Sequence, residues 1–121
     1  MVVVNRFVLT ADAPGTEEFA ARAAEALAVL AARPGYVRGS CGRAYDDPSH
    51  WALVTEWESV GAYRRALGAF DVKLGATPLL AQSVDEPAAY ETLARGEPGG
   101  RVISIRSDRA DDPSGRLPAG Q

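Results

Sequence analysis

The sequence has very few residues of the types that build disulfides, metal sites and nucleic-acid surfaces. Its 121 residues include one cysteine and one histidine, and the formal net charge is -3. The lone Cys41 excludes an internal disulfide and fits a reducing compartment. Because charges of both signs are scattered along the chain, we expect no nucleic-acid partner and no anionic membrane partner.

Several functional motifs and targeting segments are also missing. There is no glycine-rich phosphate loop, no Cys/His metal spacing and no serine nucleophile elbow, which disfavours nucleotide, zinc and hydrolase chemistry. The first residues have no basic stretch before their apolar run, so we expect no export signal. No apolar run is long enough to span a bilayer. We therefore predict a cytoplasmic protein.

The hydrophobic periodicities that are present predict six elements in the order β-α-β-β-α-β. The predicted elements are a strand at 2–10, a helix capped by Thr16 and ended by Pro34-Gly35, strands at 36–45 and 51–57, a helix capped by Ser59 and interrupted after Leu67, and a strand at 88–94. This order is that of a ferredoxin-like α+β sandwich with an antiparallel sheet. We predict one domain over residues 1–106, with a further strand at 101–106, and a flexible polar tail at 107–121.

One face of this predicted sheet has no helix to cover it. That face would carry the apolar residues Val2, Val4, Val8, Ala52 and Val54. A monomer would leave such a patch in contact with water. We therefore expect a homodimer in which two sheets pack face to face.

The segment from His50 to Phe70 carries the strongest functional signal. Alternation along its strand and the helical spacing after Ser59 bring Trp57 and Tyr63 together at the junction of strand and helix. These two aromatic side chains could form the floor and wall of a pocket between the sheet and the helix. Each could also be a core residue, since large aromatic side chains are often buried for packing alone.

A family resemblance is carried by the PGY turn, the strand WALVTEWES and the helix start AYRRAL. These segments resemble the antibiotic biosynthesis monooxygenase family, a group of dimeric α/β barrels. The strongest part is Trp57-Glu58-Ser59 followed by Ala62-Tyr63. The likeness covers roughly residues 2–94 and leaves the tail unexplained. It indicates fold and family better than the reaction, because the family contains several chemistries.

Members that act in aromatic polyketide pathways oxidise anthrone- or naphthol-like rings to quinones with O₂, without a metal or a flavin. The resemblance implies that reaction here, with an aromatic small molecule as substrate, O₂ as co-substrate and no cofactor. A deprotonated, electron-rich phenol can itself give an electron to O₂. The protein then needs only to hold the ring, stabilise the oxyanion and exclude bulk water.

Seven residues are predicted to form the site, and two of them, Trp57 and Tyr63, match aromatic positions that the resembling enzymes use for substrate. The predicted catalytic residues are Asn5, Trp57 and His50, and the predicted substrate contacts are Tyr63, Phe70, Leu53 and Phe7. Leu53 stands where the polyketide enzymes carry a polar amide, and Asn5 could supply an amide from the opposite side. His50 is the side chain expected to titrate near neutral pH, which makes it the candidate base.

Structural interpretations and other functions remain open alternatives. Asn5 could bond a neighbouring loop and His50 could be a solvated turn residue. A binding or accessory protein of the same fold would bind a ligand without O₂ uptake, and a polyketide cyclase or isomerase would form product without oxygen. Haem degradation is disfavoured, because the iron-binding histidine of that group would fall near Ala76.

Overall fold

The computed structural model describes residues 1–10 and 13–107, and contacts divide the chain into two units at Glu91 and Thr92. The first unit contains the strands β1 (Val2–Val8), β2 (Tyr36–Arg43), β3 (His50–Trp57) and β4 (Ala89–Tyr90), and the helices α1 (Ala13–Ala31), α2 (Val60–Leu67), α3 (Phe70–Gly75) and α4 (Thr77–Leu80). The strands form one antiparallel sheet in the order β2-β3-β1-β4. The predicted ferredoxin-like α+β fold is confirmed.

Strand β3 defines the two faces of this sheet. Its residues alternate between buried and partly exposed positions, and the buried set is Trp51, Leu53, Thr55 and Trp57. We call the face that bears this set the inner face, and the face that bears Ala52 and Val54 the open face. Directly paired residues of antiparallel strands share a face, so Asn5, paired with Leu53, belongs to the inner face.

Helix α1 covers the inner face together with the helices that follow β3. Its buried residues are Phe19, Ala23, Ala26 and Leu30, at the spacing of one helical stripe. Phe19 contacts Phe7 and Trp51 edge to face, with ring centroids 5.0 and 5.3 Å apart. The predicted start of this helix is wrong: α1 begins at Ala13, so Thr16 lies inside it. Pro14 is compatible with a helix there because a first-turn residue needs no intrahelical N–H bond.

The chain after β3 forms three short helices. The Ser59 side chain caps α2 as predicted, accepting a hydrogen bond from the Ala62 N–H at 3.0 Å. Gly68 ends α2, and the break predicted after Leu67 separates it from α3 and α4. Proline in the first turn of α4 agrees with the predicted fresh start at Thr77-Pro78.

The predicted fourth strand is shorter than expected. Only Ala89–Tyr90 pairs with β1, whereas Ala94–Gly96 (β5) pairs with Val102–Ser104 (β6) as a hairpin in the second unit. Gly99 and Gly100 have φ angles of 95° and 96°, which suit the tight turn that closes this hairpin. Local pairing across this turn therefore replaces an extended fourth strand, and the strand predicted near 101–106 is β6. The predicted tail lies outside the described residues after residue 107.

The open face carries the apolar residues that the sequence predicts for it. Val4 pairs with Val54 and Arg6 pairs with Ala52, while Val8 is 52% exposed. Arg6 also forms a two-pronged ion pair with Glu86, at 2.6 and 2.8 Å. In the described part of the chain, no helix is long and apolar enough to cross a membrane.

Candidate functional site

Trp57 is the centre of an aromatic cluster at the junction of β3 and α2. Its ring centroid lies 5.7 Å from that of Tyr63 and 5.4 Å from that of Tyr36. The side chain is 1% exposed, and its indole N–H donates a 2.9 Å hydrogen bond to the Thr55 hydroxyl. The structure therefore brings Trp57 and Tyr63 together as predicted, with Trp57 packed on every side.

Tyr63 forms the accessible edge of this cluster. It is partly buried, and this burial raises the pKa of its phenol above the ordinary value. The hydroxyl therefore stays protonated at neutral pH, where it can donate as well as accept a hydrogen bond. Tyr63 is the member of the pair that a ligand could reach without displacing the core.

The amide side chain of Asn5 lies on the inner face, opposite the apolar residue Leu53. Asn5 pairs with Leu53, which is 1% exposed, and β1 residues Val3 and Phe7 on either side of it are 1% and 2% exposed. Asn5 itself is partly exposed, and no hydrogen bond of its side chain is found among the described residues. Its amide is therefore free to bind a ligand oxygen. Trp57 lies four residues beyond Leu53 on β3, about 13 Å along the strand.

Two of the predicted substrate contacts form part of the packed interior and one does not. Phe7 and Leu53 belong to the hydrophobic core on the inner face. Phe70 is 72% exposed at the start of α3, where Val72 is the buried residue. The break at Gly68 changes the direction of the chain, so the helical spacing that relates Tyr63 to Phe70 in the sequence does not hold in the structure.

His50 lies on the opposite side of the sheet from Asn5. It starts β3, pairs with Val8 and so points to the open face, away from Trp57. Its Nε2 atom is 3.2 Å from an Asp47 carboxylate oxygen. Hydrogen bonds from Ser49, with a smaller contribution from His50, lower the pKa of Asp47 below its usual range. The structure therefore does not bring His50 to the ring that Trp57 and Tyr63 would contact.

Sequence reasoning missed two residues that hold Trp57 in place. Thr55 accepts the indole hydrogen bond, and Tyr36 meets the indole edge to face at an interplanar angle of 87°. Strand alternation alone places Thr55 on the same face as Trp57, so the Thr55 hydroxyl could have been predicted as a partner of the indole N–H. Tyr36 reaches Trp57 through the pairing of β2 with β3, which is irregular between Tyr36 and Arg38 and is not readable from either strand separately.

Within the described residues, no group of three or more histidine, cysteine, aspartate or glutamate side chains is placed to hold a metal ion. The one free thiol, Cys41, is partly buried, and burial raises its pKa above the ordinary value. Such a thiol is a weak nucleophile at neutral pH. The prediction that the protein uses no cofactor stays a prediction.

The element order and the antiparallel sheet order β2-β3-β1-β4 define the class of ferredoxin-like α+β proteins. The chain belongs to the antibiotic biosynthesis monooxygenase family, whose model matches residues 1–77. The family resemblance of the sequence is thereby confirmed. No functionally curated protein matches the chain.

Solved structures of one oxygenase are similar to this chain. SnoaB, a cofactor-independent oxygenase from Streptomyces nogalater, is 33% identical over 76% of this chain and 94% of its own, with a TM-score of 0.54. An asparagine-to-alanine variant of SnoaB is matched at 26% identity over 90% of this chain and 93% of its own, with a TM-score of 0.58. A conserved protein from Methanosarcina mazei Go1 shares the fold, at 16% identity over 73% and 84% of the two chains and a TM-score of 0.58.

Proposed function

We propose that the protein is a cofactor-independent monooxygenase that oxidises an electron-rich polycyclic phenol, of the anthrone or naphthol type, to a quinone. The observation that carries this proposal is the Trp57–Tyr63 pair, with ring centroids 5.7 Å apart, on the same sheet face as the free amide of Asn5. Tyr63, the edge of this pair that a ligand can reach, would contact the substrate ring, and the Asn5 amide, about 13 Å along the strand from Trp57, would bind its oxygen. Family membership and the similarity to SnoaB support the reaction type.

The proposed reaction uses the substrate itself as the reductant of O₂. Loss of a proton from the phenol form gives an electron-rich anion, which transfers one electron to O₂. The resulting radical pair combines to form a carbon–oxygen bond, and the hydroperoxide loses water to give the quinone. One oxygen atom enters the substrate as a carbonyl and the other leaves as water. The protein assists by stabilising the anion and by limiting the access of bulk water.

Asn5 is the residue proposed to stabilise the anion. Its amide lies on a partly exposed inner-face position between the buried residues Val3 and Phe7, so a bound oxyanion would have little competition from water. In the less polar surroundings of the inner face, a hydrogen bond from the amide to an oxyanion is stronger than in bulk water. Leu53, directly opposite, cannot make this bond. His50 is separated from this ring position by the sheet, and the proton is proposed to leave to water.

Replacing Asn5 with leucine is expected to reduce quinone formation by about a hundredfold, the usual effect of removing one donor to an oxyanion. The same substitution should leave stability unchanged or slightly raised, because the amide has no protein partner to lose. The measurements are oxygen uptake with an anthrone substrate, in chelator-treated buffer, and thermal melting of each protein. A structural role for Asn5 predicts the reverse: a lower melting temperature with the rate per folded molecule retained.

The oxygen trace of the unaltered protein tests the proposed reaction class. Uptake well above the uncatalysed rate, insensitive to chelator and matched by quinone formation, is the expected result. A flat trace with tight ligand binding would overturn the proposal and favour a binding protein of this fold. The apolar Leu53 opposite Asn5, which cannot bond an oxyanion, would then explain the lack of oxidation. Product formation without oxygen uptake would identify a cyclase or an isomerase.

We further propose that the protein is a homodimer that packs through the open face. Val4 and Val54 lie opposite each other on adjacent strands at the centre of that face. Covering this apolar surface with the same surface of a second copy would remove it from water and give a closed, twofold-symmetric assembly.

Replacing Val54 with glutamate is expected to convert the dimer to a monomer, because two carboxylates would be buried beside each other across a twofold interface. The measurement is molar mass by light scattering after size-exclusion chromatography. Ala24→Glu adds the same charge at an exposed position of α1 and should leave the mass unchanged. A monomeric unaltered protein, or a Val54→Glu variant of unaltered mass, would refute this mode of assembly.

A further inference from the structure

The hydroxyl group of Tyr36 is a polar group of the inner face that the fold itself does not use. Tyr36 pairs with Trp57 and is partly buried, and no hydrogen bond of its hydroxyl is found among the described residues. In the same part of the chain, the buried side-chain polar atoms that lack a partner belong to Arg33, Trp51 and Thr92. The Tyr36 oxygen is not one of these atoms, so it reaches the protein surface, where a ligand can bond it.

The position of this hydroxyl is defined by Gly39, on the same strand and the same face. A Cβ atom built on Gly39 would lie 2.6 Å from the Tyr36 hydroxyl oxygen, closer than a real side chain could approach. The other near atoms would be a methyl carbon of Thr55 and the carbonyl oxygen of Val54, each at 3.0 Å. The absence of a side chain at position 39 therefore leaves the space in which the Tyr36 hydroxyl lies.

Tyr36 and Asn5 present their unbonded polar groups on one face of the sheet, one row apart. Gly39 pairs with Thr55, Thr55 pairs with Val3, and Asn5 is two residues further along β1. The spacing of strands and the rise along them put the Cα atoms of Gly39 and Asn5 about 12 Å apart. A hydrogen bond from each side chain covers part of this distance, which leaves about the width of one aromatic ring between the two bonded oxygen atoms.

The last step of the proposed oxidation needs a proton donor, because the hydroperoxide loses water only when the departing oxygen takes up a proton. The Asn5 amide can bond an oxyanion but does not supply a proton, and His50 points to the open face. Tyr63 is the other tyrosine in contact with Trp57, but burial raises the pKa of its phenol and makes it a weaker acid. Tyr36 is the O–H donor that the sheet itself places near Asn5.

We propose that Tyr36 is the catalytic acid that dehydrates the substrate hydroperoxide, and that Gly39 is the residue that positions its hydroxyl. The inference rests on the proposed function and assigns its final step. The carbon that bears the peroxide loses its proton to water, its bond to oxygen becomes a carbonyl, and the O–O bond breaks. The departing oxygen takes the Tyr36 proton and leaves as water, and the tyrosinate regains a proton from the solvent. Asn5 meanwhile binds the oxygen on the opposite side of the ring.

This step can be tested without O₂ by supplying a hydroperoxide directly. Tetralin hydroperoxide gives tetralone and water, a conversion that needs no external oxidant or reductant. The unaltered protein is expected to accelerate it in anaerobic, chelator-treated buffer, and Tyr36→Phe is expected to lose about a hundredfold of the rate, the usual contribution of a positioned acid. Tyr63→Phe removes a hydroxyl from the same cluster and should keep the rate. No acceleration by the unaltered protein, or equal rates in the unaltered protein and Tyr36→Phe, would overturn the proposal.

In air, with an anthrone substrate, Tyr36→Phe should separate oxygen uptake from quinone formation. The variant keeps the ring against Trp57 and loses only an unbonded hydroxyl, so its melting temperature and oxygen uptake should be retained while the hydroperoxide accumulates. A structural role for Tyr36 predicts instead that oxygen uptake, quinone formation and melting temperature fall together.

Variants of Gly39 test the positioning of the hydroxyl. Gly39→Ala should also accumulate hydroperoxide, because the added methyl group displaces the Tyr36 hydroxyl. Added to Tyr36→Phe, the same substitution should cause no further loss of rate per folded molecule, since the displaced atom is already absent. Gly42→Ala is the control, because its methyl group would meet no atom within 4 Å. Normal dehydration in Gly39→Ala, or additive losses in the double variant, would refute the positioning role.

The two assays distinguish a failure of this inference from a failure of the proposed function. A flat oxygen trace together with Tyr36-dependent dehydration of tetralin hydroperoxide would refute the oxygenase and support the acid. Oxygen uptake with quinone formation that Tyr36→Phe does not slow would support the oxygenase and refute the acid.

Discussion

Alanine at position 35 is expected to lower the free energy of unfolding by about 2–5 kcal/mol, the sum of a left-handed backbone cost and an overpacking cost. Gly35 has a φ angle of 87°, and a Cβ atom placed there would overlap the Cβ atom of Ala62, which is 4% exposed. The Gly35 carbonyl also accepts a 2.8 Å hydrogen bond from the Glu58 N–H. The turn that ends α1 therefore packs so closely against the start of α2 that no side chain fits at position 35.

Gly42→Ala is the matched control for this prediction. Its added methyl group would meet no atom within 4 Å, so stability should change by less than about 1 kcal/mol. The measurement is urea-induced unfolding followed by circular dichroism for both variants and the unaltered protein. Equal midpoints for Gly35→Ala and Gly42→Ala would show that the turn can move away from α2 without cost.

The parts of the fold that follow from local pattern could be predicted from the sequence. The alternation of β3 and the cap at Ser59 fix a strand, a turn and a helix within a few residues, so the meeting of Trp57 and Tyr63 follows from short-range geometry. Membership of the family predicts the rest of the sheet around these two residues. The fold and the centre of the candidate site could be predicted for this reason.

Features that depend on pairing between distant segments could not be predicted in the same way. Phe70 has the right spacing from Tyr63 for one continuous helix, but Gly68 interrupts that helix and leaves Phe70 in water. The Arg43 guanidinium lies 5.4 Å from the Trp51 ring centroid because these two residues are paired, a match that depends on the register of β2 against β3. His50 was assigned to the oxidation site by its chemistry, whereas strand alternation places it on the open face.

Trp57→Ala is expected to lower the free energy of unfolding by about 3–5 kcal/mol, the usual effect of emptying a large core position. Trp57 is 1% exposed, contacts the rings of Tyr36 and Tyr63, and is bonded to Thr55. This cost is a large part of the stability of a small domain. A loss of activity in Trp57→Ala would therefore not by itself separate a catalytic role from a structural role.

Thr55→Val and Trp57→Phe separate the two roles of Trp57, because each keeps most of the core volume. Either substitution alone leaves one polar group buried without its partner, at a cost of about 1–3 kcal/mol, whereas the double variant leaves neither and should recover part of that loss. The rate of oxygen uptake then measures what the Trp57 indole ring contributes to the reaction. If the indole is the wall that holds the substrate, Trp57→Phe and the double variant should both oxidise more slowly than Thr55→Val, whatever their order of stability. Rates that instead follow stability across the three variants would assign Trp57 to the core alone, and Tyr63 would remain the aromatic contact at the accessible edge of the cluster.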